Sequence, residues 1–290
     1  MMKVLGIGDN VCDKYLHLKQ MFPGGQTLNF SVYAKLLGKD SAYIGVFGTD
    51  EVAKHIQNTL NKLKIDYKKC RIIPGENGYA KVNLVNGDRV FLGSNKGGVL
   101  RENPIILDEK DLEYIKDFSL IHTSNNSYFD DQLYKIYDLG IPISYDFSLQ
   151  WKDEERLKRV SKYLTYGFLS CGNLPEEEVK NICRKIHSLG CKIIVATRGS
   201  LGAFIYDGKD FFLQPPKLVE AVDTLGAGDS FATAFLLHLT EAYEINSKKM
   251  KNDREFFLKN LKIAMEKGAE FASKTCKIYG AFGYGKEISE

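Results

Sequence analysis

The chain has no apolar run near the ~20 residues that a membrane-spanning helix needs, so no membrane partner is expected. Its first apolar run, Val4 to Gly8, stops at Asp9 without the hydrophobic core or cleavage site of a secretory leader, and the expected location is the cytoplasm. Six cysteines, at positions 12, 70, 171, 183, 191 and 276, form no C-x-x-C pair and no Cys/His spacing for zinc, which predicts reduced thiols. No excess of one charge exists either. A net charge of +3 gives no basis for nucleic-acid binding, and a small-molecule partner is expected. No G-x-x-x-x-G-K-[ST] phosphate loop occurs, and Gly6 and Gly8 lack the third glycine of a dinucleotide fingerprint, where Val11 stands.

What is present is an ordinary globular composition, 44% hydrophobic and 27% charged over 290 residues, enough for one α/β domain spanning 1–290 with an appendage. Its most informative stretch is Asp223-Thr224-Leu225-Gly226-Ala227-Gly228-Asp229-Ser230. Phe231, Phe235 and Leu239 follow at i, i+4, i+8, so a glycine-rich turn delivers the N-terminus of a buried helix. First-turn N–H groups lack intrahelical partners and lie at the positive end of the dipole, and Gly226, Ala227 and Gly228 carry almost nothing to block an anion. Asp229 is a carboxylate where an anion would sit. That arrangement is costly unless the carboxylate does chemistry, such as taking a proton from an attacking hydroxyl. Read alone, Asp223 and Asp229 also fit ordinary helix-start positions.

In order along the chain, Lys3 to Gly8 reads as a buried strand whose carboxyl end offers Asp9, Asn10 and Asp13 to a ligand. Gly24-Gly25 precedes a helix over Leu28 to Leu37, a strand follows at Ser41 to Val46, and a helix over Asp50 to Leu63. Tyr79 to Val85 and Arg89 to Leu92 flank the hairpin dipeptide Asn86-Gly87. Strand and helix then alternate: Leu120 to Thr123, Asp130 to Leu139, Ile141 to Asp146, Lys152 to Leu164 and Phe168 to Ser170. Such βα repetition predicts a mostly parallel sheet covered by helices on both faces. His122 reads as a hydrogen-bonded core residue and Asp146 as a pocket group at a strand end. Pro175 and Glu176 open a helix, Ile193 to Ala196 is a strand, and Ala203 to Tyr206 with Phe211 to Leu213 form a hairpin. Lys248, Lys249 and Lys251 are expected in a polar loop before a helix from Glu255 to about Lys274.

The string at 223–229 resembles the second signature, D-T-x-G-A-G-D, of the ribokinase or PfkB family of carbohydrate kinases, at every fixed position. Gly24-Gly25-Gln26-Thr27-Leu28-Asn29 resembles the family's first signature, G-G-N-x-x-N, with Gln26 in place of the usual asparagine. The resemblance implies a ribokinase-like α/β fold with a small β-sheet lid formed by about 11–22 and 77–97. It implies Asp229 as the base, with the N–H groups of Gly226, Ala227 and Gly228 stabilising transferred charge. Asp13, Gly24, Gly25 and Asn29 would bind sugar, beside Asp9 and Asn10. Asp88 and Arg89 fit a hairpin turn as well as a lid contact, with Arg89 carried as a substrate candidate. Thr197-x-Gly199-x-x-Gly202 and Thr224 would line the ATP site, and Asn173 with Glu176, an N-x-x-E element, would hold magnesium through water. The region of the last long helix and the glycine-rich tail, Tyr279 to Gly285, would border adenine. The implied cofactors are ATP and magnesium, with a monovalent cation left open, and the lid offers a homodimer contact.

Within the family, Ile7-Gly8-Asp9-Asn10 with Asp13, Asp88 to Phe91 and Asp146-Phe147-Ser148 near Trp151 resemble the branch acting on fructoselysine at O6. Fructose, ribose or 2-keto-3-deoxygluconate remain open as acceptors. A noncatalytic sugar-binding relative and a nicotinamide-dependent oxidoreductase are the readings from other classes.

Overall fold

The structure, a computed structural model, describes residues 2–85 and 88–288, and of residues 84, 85 and 88–91 the backbone alone. In chain order, β1 (Lys3–Gly8), β2 (Val11–Tyr15), β3 (Gln20–Gly24), α1 (Gln26–Leu36), β4 (Asp40–Phe47), α2 (Glu51–Leu63) and β5 (Arg71–Ile72) come first. Then follow β6 (Gly78–Val85), β7 (Asp88–Ser94), α3 (Val99–Glu102), α4 (Glu109–Ile115), β8 (Leu120–Ser124), α5 (Leu133–Asp138), β9 (Ile143–Ser148), α6 (Glu154–Val160) and β10 (Tyr166–Ser170). The remainder is α7 (Glu176–Ser188), β11 (Ile193–Thr197), β12 (Ala203–Tyr206), β13 (Phe211–Gln214), α8 (Ala227–Asn252), α9 (Arg254–Thr275) and β14 (Lys286–Glu287).

The large sheet runs β13-β12-β11-β10-β9-β8-β1-β4-β5. It is parallel from β5 to β11, and only the β12–β13 hairpin is antiparallel. Neighbouring residues in its strands point to opposite faces, yet Val4 and Leu5, Leu120 and Ile121, Phe168 and Leu169, and Ile194 and Val195 are all buried. Both faces are therefore covered. Leu5, Ile121, Leu169 and Ile194 pack beneath α4 to α7, whereas Val4, Leu120, Phe168 and Val195 meet Phe30 of α1, Phe235 of α8 and Leu261 of α9. Parallel strands put their carboxyl ends on one edge, where Asp9, Asp146, Ser170 and Thr197 collect.

A second, five-stranded sheet runs β14-β3-β2-β6-β7. A third buried cluster joins it to the core, through Cys12 and Met21 from this sheet, Leu28 and Val32 from α1, and Ala281 and Phe282 from the tail. Asp50 does two jobs at this junction: it caps α2 by accepting from Ala53 N–H at 2.9 Å, and accepts from Asn77 N–H, just before β6, at 3.1 Å. The Asn86-Gly87 turn and the side chains of Asp88 and Arg89 lie outside the described residues.

Two expectations are corrected. Lys248, Lys249 and Lys251 are helical, because α8 resumes after a single non-helical residue, Asn246, and Met250 anchors the added turn in the core. The helix expected over Lys152 to Leu164 is shorter, with Asp153 as cap and 3-10 turns on either side of α6. The tail enters the small sheet, with β14 pairing antiparallel to β3. His122 is a core residue, its Nδ1 3.0 Å from Ser144 Oγ and its ring stacked on Phe30. Phe235, fully buried between the large sheet and α9, should cost about 3–5 kcal/mol when changed to alanine. Urea unfolding checks this, and a loss below about 1 kcal/mol would contradict the packing described.

Candidate active site

The site is built on the first turn of α8. Gly226 is its N-cap at φ 74°, and a Cβ there would collide with the Tyr33 hydroxyl oxygen at 2.3 Å. A Cβ on Gly228 would instead meet nothing within 4 Å. No part of the protein requires that glycine, so the open space above it suits a ligand. Ser230 N–H donates to the Gly226 carbonyl at 2.8 Å and Ala227 N–H to the Thr224 carbonyl at 3.3 Å. Among the described residues the N–H groups of Gly226, Gly228 and Asp229 have no backbone acceptor. Ala227, expected among the charge-stabilising donors, has its N–H engaged in the turn, and the Asp229 N–H lies open beside it.

The Asp229 carboxylate receives Asn29 Nδ2–H from α1 at 2.6 Å. That bond leaves Asn29 Oδ1 buried with no partner among the described residues, an acceptor suited to a sugar hydroxyl. Asn29 is held because α1 is held. Gly25, its N-cap, has no side chain, and Asp9 caps the helix from across the chain. The Asp9 carboxylate accepts from the N–H groups of Gln26 and Thr27 and from the hydroxyls of Thr27, Ser124 and Ser127, all at 2.8–3.3 Å. Asn10 donates to the Tyr43 hydroxyl and the Val46 carbonyl and accepts from Asn77. These two residues, read from the sequence as substrate groups, thus have protein partners that tie them to α1, β4 and Asn77.

Asp13, Gly24 and Asn29 do come together: a Cβ on Gly24 would lie 2.9 Å from Asp13 Oδ2 and 3.8 Å from Asn29 Oδ1. Gly25 has φ 113°, and a Cβ on it would strike the Asp9 carbonyl at 2.8 Å. Arg89 is placed on β7, with its side chain outside the described residues. Asp146 ends up buried at the carboxyl end of β9, where it accepts Ser148 N–H at 2.6 Å. Burial, and then the neighbouring Asp146 carboxylate, push the Asp229 carboxyl above the usual range, with Asp9 and Asp13 adding and the Asn29 hydrogen bond opposing. Asp146 is raised too, by burial and by Asp9, against the hydrogen bonds from Ser148 and Gln26.

On the other side of α8's first turn lies a cleft of about 500 Å³ lined by Thr197, Gly199, Gly202, Thr224 and Gly228. The residues read as a nucleotide loop thus share one wall. Thr197's hydroxyl donates to the Leu169 carbonyl at 3.1 Å. Ala272, Ser273 and Cys276, at the end of α9 in the region expected to border adenine, line the same cleft. Asn173, in the loop that follows the cleft-lining Ser170, and Glu176, the first residue of α7, are both exposed, and Glu176 pairs with Lys180 at 2.5 Å. Among the described residues no three acidic, His or Cys groups gather around a metal position. That donor set fits an ion held chiefly by phosphate and water rather than a protein cage. Sequence reasoning gave Asp223 no contact and passed over Tyr15; these two meet at 2.5 Å, 208 residues apart.

Two outcomes follow from this geometry. Asp229→Ala should lower kcat by about 10²–10⁴ while ATP affinity, measured by titration calorimetry, changes little; near-normal turnover would remove Asp229 as the base. A base works ionised, so if Asp229 is that base, activity should rise with pH through its raised pKa. Asp146→Asn deletes a like charge, so the acid limb of kcat/KM should move to lower pH, and an unmoved limb would contradict the coupling.

The chain is similar to known proteins along nearly its whole length. Fructosamine kinase FrlD of Bacillus subtilis (strain 168) is 39% identical over 285 residues, covering 98% of this chain and 94% of that protein. Fructoselysine 6-kinase of Escherichia coli (strain K12) is 27% identical over 282 residues, covering 97% and 100%. Arabidopsis thaliana ribokinase, solved with ribose and ATP, superposes with a TM-score of 0.77 at 17% identity over 98% of this chain and 94% of that one, which establishes a ribokinase-like fold. Residues 10–137 and 169–282 match the description pfkB family carbohydrate kinase, a span that takes in Gly24 and Gly25, the α8 turn and Asp229, and the chain belongs to that family.

Proposed function

We propose that this chain transfers the γ-phosphate of ATP to the primary O6 hydroxyl of a fructosamine, with fructoselysine as the reference acceptor. The observation that carries the acceptor is the 39% identity to a fructosamine kinase along nearly the whole chain. The reaction type rests on the carboxylate and open N–H groups at α8.

In this reading the sugar lies between the sheet edge and the five-stranded sheet, its hydroxyls donating to Asp13 and to the free Asn29 Oδ1. Asp229 takes the proton of the attacking hydroxyl, and Asn29 holds the carboxylate in place. The N–H groups of Gly226, Gly228 and Asp229 face charge that spreads over the transferring oxygens. Asn173 and Glu176 would hold magnesium through water. That ion, when bound, supplies charge neutralisation between the phosphates. The small sheet acts as a lid that excludes water, which would otherwise compete as acceptor. Its edge strand β7 is the place for a homodimer contact.

The test is magnesium-dependent ADP release across fructoselysine, other fructosamines, fructose, ribose, 2-keto-3-deoxygluconate and adenosine. Fructosamines should exceed every other acceptor in kcat/KM by at least about tenfold. Preference for another sugar would keep the kinase and overturn the acceptor, and no turnover of any would overturn both.

A further inference from the structure

Asp223 opens the glycine-rich string but the chemistry above gives it nothing to do. Its contacts do. Oδ1 accepts the N–H of Leu225 at 2.9 Å, shaping the turn that leads to the α8 N-cap. Oδ2 accepts the hydroxyl of Tyr15 at 2.5 Å and the N–H of Gly280 at 3.0 Å. The Tyr15 bond is a short O–H to carboxylate contact, the stronger class of hydrogen bond.

Those two donors come from one place. Tyr15 is the last residue of β2 in the small sheet, 2% exposed, with its ring edge-on to Phe22 of β3 at 5.1 Å. Gly280 packs against the same Phe22, and a Cβ on it would come within 2.6 Å of that side chain. The chain beyond it runs into β14, which pairs with β3. One carboxylate thus grips the small sheet directly through Tyr15 and indirectly through the tail. The loop bearing it is anchored from behind as well, since Val222 N–H donates to the Cys276 carbonyl at 2.8 Å. Tyr33 of α1 completes the junction by donating to the Ala281 carbonyl at 2.5 Å.

We propose that the Tyr15–Asp223 hydrogen bond couples the position of the small sheet to the shape of the phosphate-binding turn, so that sugar and nucleotide bind with positive cooperativity. Tyr15 is then a positioning residue: it touches neither reacting atom and acts through Asp223. The proposal rests on the reading that sugar binds beneath the small sheet and phosphate at α8. A sheet pressed down by bound sugar carries Tyr15 with it, and Tyr15 fixes Asp223, three residues before the N-cap Gly226. By linkage, whatever sugar does for nucleotide affinity, nucleotide must do for sugar affinity.

Tyr15→Phe deletes the hydroxyl and keeps the ring against Phe22, while Leu225 and Gly280 still donate to Asp223. The experiment is calorimetric titration of a non-hydrolysable ATP analogue with magnesium, with and without saturating fructoselysine, on wild type and variant. Wild type should show an affinity gain of at least about fivefold with sugar bound, within the usual range of coupling. In Tyr15→Phe the gain should fall below about twofold, with the analogue's affinity in the absence of sugar kept within about twofold of wild type. An equal gain in both proteins, or none in wild type, would overturn the proposal. Asp223→Asn provides a second route if the first variant does not fold: the gain should likewise fall below about twofold, and a gain equal to that of wild type would place the coupling elsewhere. If fructoselysine is not the acceptor, wild type fails to bind it at all. In that case the same titrations are run with the sugar that the acceptor panel identifies, which separates failure of the substrate assignment from failure of the coupling.

Discussion

In the proposed reaction a phosphate seat and a carboxylate base share one turn of helix, and the rest of the site accommodates that constraint. Bare N–H groups at the start of α8 attract an anion, and Asp229 in the same turn repels it. Asp9, Asp13 and Asp146 add negative charge on the sugar side. The structure separates their roles by where donors are spent. Asp9 accepts five hydrogen bonds and serves as a helix cap. Asp229 accepts one oriented amide, and its proton affinity is raised to suit a base.

That division depends on the two sheets. The parallel sheet sets the carboxyl ends of β1, β9, β10 and β11 along a single edge, so groups far apart in sequence reach one cleft. Helix α1 carries Asn29 to Asp229 and Tyr33 to the tail, and therefore supports base and phosphate turn together. The small sheet closes the arrangement from above, held to the core by Asp50, Asn10 and the tail. Function is concentrated where these layers meet.

How much of this was legible in the sequence depends on the distance over which each signal acts. The strands and helices flanking the site were readable from local periodicity, and the α8 turn from its glycines, because the left-handed backbone and close approach at Gly226 leave room for no other residue type. Asp146 was visible at a strand end. The role of Asp9 was hidden, since its donors come from α1 and from the turn after β8, more than a hundred residues away. Tyr15 carried no local signal at all. The helical turn at Lys248 to Lys251 was lost among charges because one buried residue, Met250, anchors it. β14 is two residues long and exists only because β3 offers an edge.

The most direct measurement is a crystal structure of the protein with fructoselysine and a non-hydrolysable ATP analogue. The account predicts the analogue's terminal phosphate over Gly228 at the start of α8, and the sugar's O6 hydroxyl about 2.6–3.2 Å from an Asp229 carboxylate oxygen and in line with that phosphate. Phosphates bound away from the α8 turn, or a primary hydroxyl directed away from Asp229, would contradict it.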